Sequence, residues 1–268
     1  MSLFYDHDLH IHSELSLCSG DREQTPERIL AYAKENGLRT ICLTDHHWNE
    51  NVPGASSWYQ KQDTAHIRQA LPLPQAEGVR FLFGCETDMD QFHTVGLARE
   101  HFDQFDFVII PTTHLHMKGF TIPRADAESE GHTALRARLW VERLDALLGM
   151  DLPFRKIGVA HLACSLMNNV SREEYLHTLE LIPTADMERL FRRAAEVGVG
   201  IELNMSDMSF SDGEADTVLR MFRVAKSCGC KFYCGTDAHH PKEFADAASV
   251  FERAVTLLGL TEKDRFEI

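Results

Sequence analysis

The chain has 268 residues, 44% hydrophobic and 25% charged, with 16 Gly and 9 Pro, a profile that suits a single α/β barrel and excludes collagenous, fibrous and disordered classes. Lys plus Arg number 27 against 41 Asp plus Glu, a formal net charge of -14, which argues against a nucleic-acid or anionic-membrane surface. The 15 histidines exceed what packing or pH sensing ordinarily uses.

A first strand closes on Asp8-Leu9-His10, and a loop then leads to Thr25-Pro26-Glu27-Arg28, a cap followed by proline that opens a helix ending near Asn36-Gly37. The run 40–43 ends in Thr44-Asp45-His46-His47; after an irregular aromatic-containing segment, the run 79–83 ends in Gly84-Cys85-Glu86. Further apolar runs at 105–110, 156–160, 199–203 and 231–234 stop before Thr113-His114, His161, Asn204 and Gly235-Thr236-Asp237-Ala238-His239. Helical periodicity fills 133–148, 184–197, 214–227 and 241 to about 258. About seven strands alternating with helices predict a parallel β/α architecture, and no linker or low-complexity tract divides residues 1–268, which read as one domain.

Cys18, Cys42, Cys85, Cys164, Cys228, Cys230 and Cys234 are an odd number of thiols in a chain large enough to fold without staples, so they are expected to be reduced. Cys228, Cys230 and Cys234 lack the second paired half of a zinc knuckle. With no basic-then-apolar leader and no run of membrane-spanning length, the expected location is cytoplasmic.

In parallel β/α barrels the carboxyl ends of the strands converge on one face. Here those ends carry His10, His12, His46, Glu86, His114, His161, Asp237 and His239. Packing or surface exposure explains any one of them, but not the set, and imidazoles with carboxylates are divalent-metal ligands. His10 and His12 lie two apart on an extended segment and so project to one side; Asp237 and His239 repeat that spacing.

Asp8-Leu9-His10-Ile11-His12-Ser13, Thr44-Asp45-His46, Glu86 after Gly84, Thr113-His114, Ala160-His161 and Gly235-Thr236-Asp237-Ala238-His239, in that order, resemble the PHP (polymerase and histidinol phosphatase) family over almost the whole chain. Because nothing flanks these motifs, the resemblance is to the stand-alone phosphoesterases. It implies a distorted (β/α)7 TIM-like barrel of the PHP type that holds two or three divalent ions, Mn, Fe or Zn. The substrate would be a small phosphate ester such as histidinol phosphate or a nucleotide phosphate, attacked by water activated at the ions. By the same resemblance, His10, His12, Glu86 and Asp237 hold the first ion. Glu86 bridges to a second held by His114 and His161, and a third uses His46 and His239. Glu86, Asp237 and His239 are the implied catalytic residues. The remaining ligand is Asp21 or Cys18. Asp21 is favoured because its offset before Pro26 resembles the loop of related members and because hard ions prefer carboxylate to thiol.

Other residues carry weaker expectations. His47 and His240 would point away from their ligand neighbours, His116 toward the pocket if the chain stays extended, and His93 suits a structural role. Lys118, Arg124 and His132 read as solvated loop charges before phosphate contacts, and Asn204 suits orienting substrate or water. Arg136, Arg138, Glu142 and Arg143 read as a solvated helix face. Trp48 and Trp58 suit a pocket wall or surface packing. An amidohydrolase-like C–N hydrolase is the alternative enzyme, disfavoured because no lysine accompanies Glu86; a catalytically silent metal-stabilised binding module would show gaps in the ligand set.

Overall fold

The structure, a computed structural model, describes residues 4–127 and 132–268. Strands β1 (His7–Ile11), β2 (Thr40–Leu43) and β3 (Arg80–Phe83) form one parallel sheet, and β4 (Cys85–Glu86), β5 (Val108–Ile109), β6 (Ile157–Val159), β7 (Gly200–Asn204) and β8 (Lys231–Gly235) form a second, each in sequence order. The sheets meet at both edges. Asp237 N donates to the His10 carbonyl at 2.7 Å and His12 N to that of Ala238 at 3.1 Å, while Gly84 N and Glu86 N donate to the carbonyls of Leu43 and Asp45 at 2.8 and 3.1 Å. The result is a distorted (β/α)7 TIM-like barrel in which β3 and β4 are one strand broken at Gly84. A Cβ there would lie 2.5 Å from the Phe107 carbonyl and 2.8 Å from Cys42 Sγ, so only glycine lets the neighbouring strand approach.

The crossovers explain the distortion. Full helices α1 (Pro26–Glu35), α4 (His132–Leu148), α5 (Arg172–Leu181), α6 (Thr184–Val197), α7 (Ala215–Ser227) and α8 (Ala247–Leu258) serve four connections and the chain end, with α5 and α6 sharing one, whereas α2 (Thr64–Ile67) and α3 (Arg124–Ala127) are single turns in long loops. Local chemistry sets the ends: Thr25 caps α1 with Pro26 in its first turn, and α6 and α8 stop at Gly198 and Gly259, both left-handed. Met187, Leu190, Phe191 and Ala194 of α6 form a buried stripe at helical spacing. Helix α5 is additional to those expected from periodicity; it buries only Tyr175, Thr178 and Leu179, too thin a stripe to stand out in the sequence.

The main core lies between strands and helices. A smaller cluster of Leu9, Cys42, Leu82, Phe107, Ile109, Ala160, Tyr233 and Phe266 fills the barrel. Phe266 is anchored there by its N–H, which donates to the Phe232 carbonyl at 2.7 Å. All seven cysteines are free thiols, and among the described residues no helix is long and apolar enough to cross a membrane.

One expectation is overturned. Arg138 and Glu142 do form an exposed pair, 3.2 Å apart, but Arg136 and Arg143 on the same helix are buried. The Arg143 guanidinium donates to the carbonyls of Thr112 (2.8 Å), Asp90 (3.1 Å), Thr121 (3.0 Å) and Met89, and Arg136 to that of Leu115 at 2.5 Å. These loop carbonyls have no strand partner, and a guanidinium fork satisfies several at once. Long side chains at helical spacing thus stitch the loop carrying His114 onto α4.

Candidate metal centre

Each strand end delivers its ligand to one rim. Two of them do so through unusual backbone: His161 (φ 58°) follows β6 and Asp237 (φ 55°) follows β8, both left-handed without being glycine. Such conformations cost about 1–3 kcal/mol each and persist where the surroundings enforce them. Gly235 makes the packing possible, because a Cβ there would overlap the Glu202 carboxylate and lie 2.6 Å from His10 Cβ.

The buried carboxylate of Glu86 is the hub. Its Oε2 lies 3.4 Å from His10 Nε2, 3.2 Å from His12 Nε2 and 3.1 Å from His46 Nδ1, and its Oε1 lies 3.5 Å from His161 Nε2 and 3.9 Å from His114 Nε2. Asp237 faces it, with Oδ1 at 3.3 and 3.0 Å from His10 and His12 Nε2 and Oδ2 at 3.7 Å from His161 Nε2. Among the described residues five sets of side chains offer donor atoms within 4.8 Å of one another, three of them made up wholly of residues at the strand ends: His10, His12, Glu86 and Asp237; Glu86, His114 and His161; and His12, His46 and His239.

The outer imidazole nitrogens show how the rings are held. His10 Nδ1 lies 2.6 Å from Glu202 Oε1, His12 Nδ1 2.9 Å from Ser16 Oγ, His114 Nδ1 3.2 Å from Asp88 Oδ2 and His239 Nδ1 2.7 Å from the Asp237 carbonyl. Ser16 in turn donates to Asp45 at 2.7 Å, and Tyr59 donates to Asp88 at 2.6 Å. A carboxylate or carbonyl only accepts, and the Ser16 proton is already given to Asp45. Each of these four Nδ1 atoms therefore carries the proton, and each Nε2 presents a lone pair inward. Nε2 of His10 and His12 are 3.1 Å apart, close enough for both lone pairs to reach one cation.

Charge in the cluster points the same way. Burial alone would raise the Glu86 carboxyl, but His46 and His10 overcome it and hold the group well below the usual carboxylate range. Asp237 is lowered likewise, against burial, by His10 and His161. Burial opposes charge on His10 and His161, yet the carboxylates around them raise both well above the ordinary imidazole value. Ionised carboxylates that favour positive charge on the imidazoles among them mark a site short of positive charge, which divalent ions can supply in place of protons. The donor set, the fixed tautomers and the buried Glu86 Oε1, which has no hydrogen-bond partner, all fit metal ions.

Of the residues expected at the site, His10, His12, His46, Glu86, His114, His161, Asp237 and His239 come together. Asp21 does not join them: its carboxylate lies 3.1 Å from His240 Nδ1 and caps Glu23 N at 2.9 Å. Cys18 instead lines the cavity above the cluster, with His46 and His239. His116 and Lys118 line it too, as does Trp58, while Trp48 is buried behind that wall. His47 turns away to Thr64, 3.1 Å, and burial pushes its imidazole down to about 4. His93 sits exposed on a left-handed turn. Asn204 accepts from Ser206 N at 2.9 Å and is absent from the cavity wall.

Glu202, Asp88 and Asp207 lie outside the motifs, and Asp45 lies within one without standing out as a partner of His12. Glu202 also accepts from His161 N at 3.0 Å, and Asp207, near His161 and Cys164, accepts from Ala163 N at 2.9 Å. The one signal available was an acidic residue inside an otherwise apolar buried strand, as Glu202 is in Gly200–Asn204.

A family model described as PHP domain matches residues 8–205. The chain is 21% identical over 91% of its length to a probable phosphatase of Caldicellulosiruptor saccharolyticus, covering 84% of that protein. It is 28% identical over 87% of its length to a probable phosphatase of Syntrophotalea carbinolica, covering 79% of it. Among solved structures, a histidinol phosphate phosphatase of Lactococcus lactis, in complex with Zn, L-histidinol and phosphate, superposes with a TM-score of 0.55 at 18% identity, over 93% of each chain.

Proposed function

The chain belongs to the PHP domain family, and we propose that it is a metal-dependent phosphoesterase that hydrolyses a small phosphate ester. The observation that carries this reading is the set of imidazoles whose outer nitrogens are held by Glu202, Ser16, Asp88 and the Asp237 carbonyl, so that their inner nitrogens converge on Glu86 and Asp237. The names of the relatives, probable phosphatases, agree with it. We read residues 1–268 as one catalytic domain and its location as cytoplasmic.

In this reading His10, His12, Glu86 and Asp237 would hold one ion, Glu86, His114 and His161 a second, and His46 and His239 a third, with Cys18 rather than Asp21 beside it. Mixed imidazole and carboxylate donors suit Mn, Fe or Zn. Divalent ions bound there supply Lewis-acid polarisation of the phosphoryl oxygens and water acidic enough to attack near neutral pH. The protein's own share is positioning. Glu86 keeps both carboxylate oxygens turned inward because it is buried among imidazoles. Asp237, partly open to the cavity, orients the attacking water. His239, also on the cavity side, would help hold the ion that polarises the ester, and the proton given up by the attacking water ends on the departing alcohol oxygen, so that ester and water give alcohol and phosphate.

The test is metal analysis of the purified protein, followed by phosphate release from p-nitrophenyl phosphate and a panel of phosphorylated metabolites with Mn, Fe and Zn supplied in turn. Metal-dependent release is expected, and His161→Ala should lose metal and activity together. No release with any metal overturns the proposal, and unchanged metal content in the variant removes His161 from the site.

A further inference from the structure

A cavity of 630 Å³ opens over the cluster, within the range of about 300–1,000 Å³ usual for small-ligand sites. Its walls are chemically lopsided. One is aromatic: Trp58 stands edge-on to His46, ring centroids 5.0 Å apart, and packs at 84° on Tyr59. Tyr59 and Phe120 are buried and backed by Trp48, so this wall is braced from behind. The Tyr59 hydroxyl is committed to Asp88 at 2.6 Å, which leaves that ring's body and not its polar tip for a ligand. Met117 and Leu166 extend the apolar lining.

The other feature is scarcity of positive charge. Among the described residues lining the cavity, Lys118 is the one Lys or Arg side chain. The buried arginines of the adjoining helix, Arg136 and Arg143, are spent on main-chain carbonyls. One phosphoryl group can be neutralised at the cluster itself, but a second phosphate on the same ligand would meet a single exposed lysine in an acidic protein. A flat apolar group, by contrast, has the aromatic wall to lie on.

We propose that the cavity selects a phosphate monoester whose esterified group is one flat, weakly polar ring system lying against Trp58, with Lys118 as the sole side-chain cation facing the phosphate. This rests on the phosphoesterase reading and narrows it, setting polyphosphorylated and nucleic-acid ligands aside. Trp58 and Lys118 are then specificity residues.

Phenylphosphonate and methylphosphonate test it, because they share one anionic head, differ in the ring, and contain no ester bond whose reactivity would confuse the comparison. Calorimetric titration of the metal-loaded protein should find phenylphosphonate bound about three- to tenfold more tightly, the size of one aromatic contact. The ratio should fall to near one in Trp58→Ala and return in Trp58→Phe, with melting temperatures confirming that both variants fold; Lys118→Met should weaken both phosphonates alike. Equal affinities in the wild type, or a ratio unmoved by Trp58→Ala, overturn the proposal whether or not phosphoesters are hydrolysed. Hydrolysis of bisphosphates in preference to monophosphates overturns it while leaving the phosphoesterase reading intact. Failure of both binding and turnover removes the two together.

Discussion

His10 gives its Nδ1–H to Glu202 and so keeps Nε2 for the centre; His12 does the same through Ser16 and Asp45, and His114 through Asp88. Removing such a partner typically lowers metal affinity by about 10- to 100-fold, because the ring is then free to rotate or to change tautomer. Glu202→Gln should show that loss in a competitive chelator titration while the melting temperature of the metal-free protein changes little; unaltered affinity would mean that His10 is oriented by packing alone. The candidate ligands are readable from the chain, since His10 and His12, or Asp237 and His239, announce themselves by spacing two apart. Their partners are not. Glu202 is 192 residues from His10, and no local pattern links residues brought together only by strand pairing. The loop after His12 is a related case: offset along the chain favours Asp21, whereas the turn through Gly20, with φ of 61°, leaves Asp21 beside His240 and Cys18 beside the cavity.

Elements are tied to one another by polar groups whose role depends on what they face. Arg136 and Arg143 read as a solvated stripe because arginine usually is one; α4 instead turns them toward loops whose carbonyls need donors. Helices α5 and α7 are linked at their amino ends, where Arg172 holds the Glu214 carboxylate through two hydrogen bonds of 2.6 and 3.0 Å. Glu214 also accepts from Ser211 N and Oγ, both at 2.8 Å. Arg172 first, and then Ser211, lower its carboxyl to about 2. Because the folded-state value lies below the ordinary one, this contribution to stability is complete above the usual carboxyl range and is lost as pH falls toward the lowered value. Glu214→Gln should therefore be less stable than wild type by about 0.5–1 kcal/mol at neutral pH, a figure kept small by solvent screening. Urea titrations should show that gap narrowing as pH drops below about 4; a gap independent of pH would count against the assignment.

Across the whole molecule, the same ring of strand ends that positions the ligands also concentrates carboxylates and imidazoles in a buried space, so bound ions should be part of the protein's stability. Ligand excess of about 100- to 1,000-fold over Kd stabilises a fold by about 3–4 kcal/mol, worth roughly 5–15 °C for a domain of this size. Chelation should lower the melting temperature by that much and re-addition of Mn or Zn should restore it; a melting temperature indifferent to chelator would argue that the cluster holds no tightly bound ion. The net charge of -14 is compatible with an anionic substrate on this view, because the field that matters is the local one at the metal cluster. Legible in the sequence alone were the alternation of strands and helices, the order of the candidate ligands and the family, since apolar runs and short spacings are local properties of a chain. Tertiary structure alone decided the break at Gly84, the buried arginines, the acidic partners behind the histidines and the single-lysine aromatic cavity, because each depends on which distant residues the barrel brings within a few ångströms.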